Sequence, residues 1–183
     1  MKEQAKVMKS YLEIQLPIGK DAAWFEDLWK KFSGIPVKWQ DGFYHITLAF
    51  LNETPEDVDL RPILQKHLNE AYAPTLTFDK LDVFTTASGM FIIYLTSTCV
   101  PESFCELVGA IRKDLKAAGC RIQSDFMLHV TLGRVRDENV NLTSLNRLLD
   151  SVTVSPFTLS LSDVDYRVFR GRILYESKLK QQE

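Results

Sequence analysis

Short stretches in which apolar and polar residues alternate recur along this chain, and between them apolar residues return with the spacing of a helix. The stretch from Tyr11 to Leu16 alternates and predicts a first strand that ends at Pro17. A helix is expected next, with Asp21 as its N-cap. The same patterns predict further strands at 37–39, 44–51, 75–84, 90–96, 126–135, 153–165 and 172–179, and further helices at 55–71, 101–118 and 142–149.

The order of these elements predicts an α+β fold in which helices pack against antiparallel sheets. The stretches 75–84 and 90–96 flank a Ser88-Gly89 turn and are expected to form a hairpin. No segment rich in proline, glycine and serine divides the sequence, and 183 residues suffice for one hydrophobic core. Residues 1–183 are therefore expected to form a single domain.

Composition and charge exclude several functional classes. A formal net charge of −2 argues against non-specific nucleic-acid binding, because proteins of that class carry a large positive field. The three cysteines show no C-x-x-C spacing, which favours a reduced intracellular protein. The sequence contains neither a signal-peptide pattern nor an apolar run of membrane-spanning length, so we expect a cytoplasmic protein with no membrane partner.

One tetrapeptide pattern occurs twice, and it carries the candidate chemistry. His45-Ile46-Thr47-Leu48 returns as His129-Val130-Thr131-Leu132, so two of the three histidines begin the same motif. Such self-similarity indicates two pseudo-equivalent strands. Because alternate side chains of a strand share a face, each strand should present its histidine and its threonine to one side.

Strict alternation also predicts what surrounds these four residues. It places Phe43 and Ala49 on the face of His45, and Gly133 on the face of His129. By the same rule, Phe50 and Arg134 belong to the opposite faces. The small residue in each motif is expected to leave room for a ligand.

Two imidazoles at one cavity can act as a general acid and a general base, because histidine titrates near neutral pH. The hydroxyls of Thr47 and Thr131 could donate hydrogen bonds to the oxygens of an anion held between the imidazoles. A phosphodiester suits this arrangement, since its displacement needs an in-line acid and base and stabilisation of the equatorial oxygens. The scheme requires neither a cofactor nor a metal.

Three other interpretations of the histidines remain open. They could be structural residues with satisfied hydrogen bonds, although the repetition of the H-x-T-L motif argues against this. They could bind zinc, but the sequence shows no third-ligand motif such as H-E-x-x-H. A serine hydrolase triad lacks its G-x-S-x-G signature. His67, in a polar helical stretch, is expected to face solvent.

The paired H-x-T-L motif resembles that of the two-histidine (2H) phosphoesterase superfamily, and within it the bacterial 2′,5′ RNA ligase and RNA 2′,3′-cyclic phosphodiesterase group. The similarity extends from Lys38-Trp39 through Tyr44 to Leu51, includes His129 to Arg134, and fits the late stretch from Gly171 to Tyr175. Asn52 stands where the group often has glycine, and Gly133 replaces a more usual alanine, which is expected to widen the pocket.

This resemblance implies a bilobal domain with a pseudo-twofold axis, in which two antiparallel sheets line a central cleft, the two lobes are interleaved and helices pack outside. It further implies metal-independent hydrolysis of 2′,3′-cyclic phosphates, with RNA 3′ ends or small cyclic nucleotides as partners. Carried over, His45 and His129 are the acid–base pair, and Thr47 and Thr131 hold the phosphate. A monomer is expected.

Several residues near the motifs are candidate substrate contacts. Arginine forks match phosphate geometry, and aromatic rings can stack on a base. Phe43 shares the predicted face of His45, while the remaining candidates come from the second motif and from the end of the chain. These are Arg134, Tyr166, Arg167 and Arg170.

The leading function is thus an RNA 2′,3′-cyclic phosphodiesterase, and 2′,5′ RNA ligation would be the same chemistry in reverse. One alternative is a phosphodiesterase that cleaves 2′,5′-oligonucleotides or a cyclic phosphate on a nucleotide-sugar. Another is an RNA- or nucleotide-binding module without turnover. The sequence leaves open which histidine is the acid and which is the base.

Overall fold

The computed structural model describes residues 7–20 and 22–181. The described part contains eleven strands and four helices. The strands are β1 Val7–Leu16, β2 Val37–Trp39, β3 Tyr44–Pro55, β4 Thr75–Phe78, β5 Lys80–Thr85, β6 Phe91–Thr96, β7 Arg121–Ile122, β8 Val130–Val135, β9 Phe157–Ser160, β10 Asp163–Val168 and β11 Ile173–Lys178. The helices are α1 Ala23–Lys31, α2 Arg61–Leu68, α3 Glu102–Ala117 and α4 Leu142–Asp150.

Nine of the strands form one antiparallel sheet along the path β11-β10-β1-β3-β8-β6-β5, with β2 and β7 attached beside the two central strands. Strands β4 and β9 form a second, two-stranded antiparallel sheet. Helices α2 and α3 pack on each other, α3 contacts β3, and α4 contacts β5. The expected α+β class with antiparallel sheets is confirmed. No helix in the described ranges combines the length and the apolar character that crossing a membrane requires.

The centre of the large sheet is a crossing of the two motif strands. Strands β3 and β8 pair through a single registered couple, Ile46 and Val130, and both side chains have no exposed surface. Beyond this point the two strands diverge. Strand β2, which precedes β3 in the chain, pairs with β8, and β7, which precedes β8, pairs with β3. The short strand that precedes each motif strand in the chain therefore pairs with the other motif strand.

Several predicted boundaries are wrong, each for a local reason. Pro55 ends β3 instead of opening a helix, and α2 begins at Arg61, next to Pro62. The predicted strand 75–84 is two strands in different sheets, divided at Asp79, whose carboxylate accepts hydrogen bonds from the backbone and hydroxyl of Thr98. The stretch 153–165 likewise holds parts of β9 and β10, and the second motif strand begins at 130 rather than 126.

Other expectations hold. The β5–β6 hairpin is confirmed, and Gly89 in its turn has a positive φ of 77°. Gly119, with a φ of 89°, follows α3 as expected. Helix α1 has Ala22 at its N-cap position, and the predicted cap Asp21 lies outside the described residues. The side chain of His67 is not solvent-facing: it packs between α2 and α3, with Nε2 2.8 Å from Oδ2 of Asp114.

Candidate active site

The crossing of β3 and β8 brings the four motif residues onto one face of the sheet. Continuing the antiparallel register one residue on either side of Ile46 and Val130 sets His45 opposite Thr131 and Thr47 opposite His129. Each imidazole is therefore beside a hydroxyl, and the two histidines lie on a diagonal. After burial, the charge of His129 is the next cause that lowers the pKa of His45, so the two imidazoles lie near each other.

A β-bulge follows each threonine and changes which side chains reach this face. Leu12 and Glu13 of β1 pair with Ala49 and Thr47, so Leu48 is an extra residue in β3. An extra residue in one strand inverts the alternation beyond it. Ala49 is consequently buried in the core, and Phe50 moves to the face of His45.

The second motif contains the matching bulge. Ile93 and Tyr94 of β6 pair with Gly133 and Thr131, so Leu132 is the extra residue. Arg134 therefore lies on the face of His129, and the prediction from strict alternation is wrong. Since the bulges occupy equivalent positions, the internal repeat includes backbone irregularity as well as side chains.

Gly133 faces the core because of this bulge. A Cβ at this position would lie 2.6 Å from Cγ1 of Val37 and 2.9 Å from Cε3 of Trp39. The glycine permits close packing of β2 on β8. The expectation that Gly133 widens the ligand pocket is therefore wrong.

A cavity of about 680 Å³ opens on the face of the motif residues. Among the described residues its lining includes Thr47, His129 and Thr131 but not His45, whose imidazole lies beside the rings of Tyr11 and Phe43. The lining also combines a cation with a largely apolar wall. These additional residues include Arg134, Phe50, Phe84, Met90, Ile92 and Phe126.

Arg112 of α3 supports this cavity from below and was not anticipated from the sequence. Its side chain is buried, with Nη1 3.0 Å from the carbonyl oxygen of Leu48, the bulge residue. The other terminal nitrogen donates to the carbonyl of Ser124, which has a positive φ of 52°. One guanidinium therefore fixes both the first bulge and the loop on which the second motif begins.

The imidazole of His129 is oriented by the backbone. Its Nδ1 lies 2.9 Å from the carbonyl oxygen of Met127, so Nδ1–H donates and Nε2 remains an acceptor. The rings of Phe84 and Tyr94 pack edge-on against it, with centroids 5.6 and 6.0 Å away. Burial lowers the pKa of His129, and the bond to Met127 opposes that effect. The neutral form thus dominates at neutral pH.

His45 has a different neighbour, a carboxyl group. Its Nε2 lies 3.6 Å from Oε2 of Glu13, whose side chain has no exposed surface. Burial lowers the pKa of His45 to about 4, assisted by the positive charges of His129, Arg134 and Arg167. The burial of Glu13 could not be predicted from the alternation of β1, because a charged residue in an alternating strand is usually solvated.

Two predicted substrate contacts, Phe43 and Arg167, lie beside His45. The Arg167 guanidinium carbon is 5.5 Å from the centroid of the Phe43 ring, and its Nη1 donates to Oε1 of Glu13 at 3.2 Å. The Phe43 ring is 5.8 Å from the imidazole of His45 and 45% exposed. An aromatic surface next to a cation is therefore open to a ligand.

The two other predicted arginines, Arg134 and Arg170, lie near each other. Arg134 donates from Nη1 to Oε1 of Gln40 at 2.8 Å, and its pKa is lowered by burial and then by the charge of Arg170. Arg170, in a left-handed conformation with φ 56°, stacks its guanidinium on Phe169 near the same cleft. Arg172 instead lines a different depression with Met8 and Thr54.

Tyr166, another predicted substrate contact, does not face the cleft. It is 5% exposed, and its hydroxyl shares a hydrogen bond of 3.1 Å with Oγ of Ser10, which in turn bonds to Thr54. Along β10 the side chains of Tyr166 and Arg167 point to opposite faces, so only the arginine reaches the cleft.

The donor groups of the site suit an anion. Within residues 7–20 and 22–181, no three His, Cys, Asp or Glu side chains are arranged to hold a metal ion. This face of the sheet instead combines two imidazoles and two hydroxyls with the guanidinium of Arg134. These groups can exchange protons with a substrate and donate hydrogen bonds to its oxygens.

Comparison with known proteins agrees with this geometry. No curated protein matches the sequence. The fold matches E. coli LigT in complex with 3′-AMP with a TM-score of 0.62 and 21% identity, covering 96% of this chain and 100% of that one. It also matches a protein of Thermus thermophilus (TM-score 0.58, 18% identity, coverage 96% and 100%) and the MHV ns2 PDE domain (0.54, 14%, 88% and 99%).

The sequence itself supplies the family. The model of the 2′-5′ RNA ligase superfamily matches residues 21–170, which include both H-x-T-L motifs and both bulges. The resemblance to two-histidine phosphoesterases is confirmed, and the chain belongs to the 2′-5′ RNA ligase superfamily.

Proposed function

We propose that this protein is a metal-independent phosphoesterase that hydrolyses 2′,3′-cyclic phosphates on RNA 3′ ends or on small nucleotides. The observation that carries the proposal is the diagonal arrangement of His45 and His129, each beside the threonine of the other motif. The whole chain acts in this proposal as one domain of two interleaved lobes, each of which supplies one histidine and one threonine.

In this mechanism the phosphorus lies between the two imidazoles. One imidazole takes a proton from water as the new P–O bond forms, and the other protonates the 3′ oxygen as its bond to phosphorus breaks. The hydroxyls of Thr47 and Thr131 donate hydrogen bonds to the non-bridging oxygens, on which negative charge grows. Arg134, on the same face, adds a positive charge. Ligation of 2′,5′ ends would be the same step in reverse.

The nucleoside part of the substrate has two apolar surfaces within reach. Phe43 lies beside His45 under the guanidinium of Arg167, and Phe50 lines the cavity with Phe84. Aromatic rings of this kind stack on bases without strong sequence preference. E. coli LigT has been crystallised with 3′-AMP, with ATP and with NADP⁺, which supports a nucleotide as the ligand.

The proposal is tested by incubation of the protein with 2′,3′-cyclic nucleotides and, separately, with 2′,5′-linked dinucleotides, both in the presence of a chelator. We expect the cyclic substrates to be opened to 2′-monophosphates. The His129→Ala variant serves as the inactive control. Cleavage of the 2′,5′ linkage alone would instead indicate an oligonucleotide phosphodiesterase. Binding of both substrates without turnover would contradict an enzymatic role.

A further inference from the structure

Glu13 is a charged residue with no exposed surface, and it stands against only one of the two imidazoles. We propose that Glu13 is a positioning residue for His45: its carboxyl group and the His45 imidazole share one proton, which makes the two histidines chemically different. The catalytic part of this inference rests on the proposed function, whereas the shared proton does not.

The contact follows from the register of three neighbouring strands. Glu13 of β1 pairs with Thr47 of β3 on one side and with Asp165 of β10 on the other. Its side chain thus lies on the same face of the sheet as Thr47 and His45. Oε1 accepts a hydrogen bond from Arg167, and Oε2 is 3.6 Å from Nε2 of His45.

Each side chain of this contact has one buried atom without a hydrogen-bond partner. Oε2 of Glu13 and Nδ1 of His45 are buried and have no hydrogen-bond partner among the described residues. A buried carboxyl oxygen without a partner is costly, and Nε2 of His45 lies 3.6 Å from Oε2, slightly beyond hydrogen-bond distance. A proton held between Oε2 of Glu13 and Nε2 of His45 gives Oε2 its missing hydrogen-bond partner.

Charged groups from every adjacent strand act on the pair. From β10 come Arg167 and the carboxyl of Asp165, which accepts a hydrogen bond from Gln15. Tyr11 lies beside Glu13 on β1, and His129 and Arg134 face His45 from the second motif. This mixture gives the carboxyl one cationic partner and one anionic neighbour.

These surroundings keep a proton on the pair. Burial raises the pKa of Glu13 to about 7, opposed by Arg167 and assisted by Asp165, while the pKa of His45 falls to about 4. These two values leave a range of pH in which the carboxyl is protonated and the imidazole is neutral. Between them the carboxyl and the imidazole together hold one proton.

Among the described residues, no carboxyl group contacts the imidazole of His129 in the way that Glu13 contacts His45. Its Nδ1 is held by the backbone carbonyl of Met127, which can orient the ring but cannot take or release a proton. This asymmetry favours His129 as the base, since its Nε2 can accept a proton. It favours His45 as the acid, since Glu13 supplies a proton to it.

The proton balance of the step is then complete. Water loses a proton to His129 as its oxygen bonds to phosphorus, and the P–O3′ bond breaks. The leaving oxygen takes the shared proton from His45, which leaves that imidazole neutral. Glu13 is left as a carboxylate beside Arg167. Solvent then carries the proton on His129 back to the pair.

The sharing of the proton is tested without any substrate, by NMR titration of the Glu13 carboxyl carbon and the His45 imidazole in the wild-type protein. We expect both signals to show the same two steps, near the pKa values of about 4 and about 7. In Glu13→Gln, which keeps the shape of the side chain, His45 should lose the upper step. Glu53→Gln, a change at an exposed glutamate that pairs with Arg121, is the matched control and should leave His45 unchanged.

The result that overturns the proposal is a Glu13 titration with no matching change at His45, which the wild-type protein alone can reveal even if Glu13→Gln fails to fold. For turnover of a 2′,3′-cyclic nucleotide, we expect Glu13→Gln to lower kcat by about tenfold or more and to shift the upper limb of the pH profile. If wild-type protein turns over no cyclic substrate while the two titrations coincide, the proposed function fails and the Glu13–His45 pair stands.

Discussion

Ile46 and Val130 form the registered pair that joins the two halves of the large sheet, and neither side chain is exposed. This buried couple fixes the relative position of His45 and His129, which flank it on the opposite face. The distance between the imidazoles is thus set by the core, not by a loop.

Loss of either imidazole should disable turnover. His45→Ala and His129→Ala are each expected to lower kcat for a 2′,3′-cyclic nucleotide by about 10²–10⁴-fold, the usual contribution of general acid–base catalysis. The kcat of the double variant should be nearly as high as that of the less active single variant, because paired catalysts act as a unit. Steady-state rates of all three proteins provide the test, and losses that multiply in the double variant would argue against a shared phosphorus.

The threonine hydroxyls should contribute through hydrogen bonds to charged oxygens. Thr47→Val and Thr131→Val keep the shape of the side chain and remove the donor, at a cost of about 1.5–3 kcal/mol in transition-state stabilisation. This corresponds to a loss of roughly 10–150-fold in kcat/KM. The matched Thr→Ser variants retain the hydroxyl and should stay within a few-fold of wild type. Equal activity of the Val and Ser variants would remove the threonines from the site.

Gly133 should tolerate no side chain. In Gly133→Ala the new Cβ would meet Val37 and Trp39 at distances below 3 Å, so we expect a loss of about 1–3 kcal/mol in the free energy of unfolding. The control is Gly109→Ala in α3, where nothing lies within 4 Å of the added Cβ and alanine favours the helix. Chemical denaturation measures both, and equal stability of the two variants would contradict the bulge at Leu132.

Tyr166→Phe separates a core role from a substrate contact. Removal of the hydroxyl that bonds to Ser10 should lower the unfolding free energy by about 1 kcal/mol. Because Tyr166 lies away from the cleft, kcat/KM should stay within about twofold, a change below roughly 0.5 kcal/mol. A large rise in KM at unchanged stability would restore it as a substrate contact.

The stability of the protein should depend on pH through Glu13. Its pKa of about 7 in the folded state exceeds the value of about 4.3 for an unperturbed glutamate, so the folded state binds more protons between these values. Rising pH therefore removes stability in this window, by up to about 1.4 kcal/mol per pH unit. His45 and His129, whose pKa values are lowered, act in the opposite direction.

The difference between Glu13→Gln and wild type isolates this effect. Measured by denaturation from about pH 4.5 to about pH 7, the unfolding free energy of the variant relative to wild type should increase with pH. A difference that is flat across the window would mean that Glu13 has an ordinary pKa in the folded protein.

The sequence predicts the α+β class and the four motif residues because these depend on local periodicity and on the repeated H-x-T-L motif. It misplaces Phe50 and Arg134, because a bulge inverts alternation and leaves no local signal in either Leu48 or Leu132. The two bulges could have been suspected from Ala49 and Gly133, small residues at equivalent positions that fit a crowded core.

Glu13 was missed, and Tyr166 was expected at the substrate, for a different reason. Whether a polar residue of a strand meets solvent or a second layer depends on strands far away in the chain. The side chain of Glu13 is bonded by Arg167 of the neighbouring strand β10, which lies 154 residues later in the chain. Tyr166 meets Ser10 through the same long-range pairing.

The central claim is that two imidazoles from opposite halves of the molecule flank one phosphorus atom. A crystal structure of the protein with a nucleoside 2′-monophosphate tests it most directly. We predict a phosphate between His45 and His129, within hydrogen-bond distance of both rings and of the hydroxyls of Thr47 and Thr131. A phosphate bound by only one motif, or a nucleotide seated elsewhere on the surface, would contradict the account.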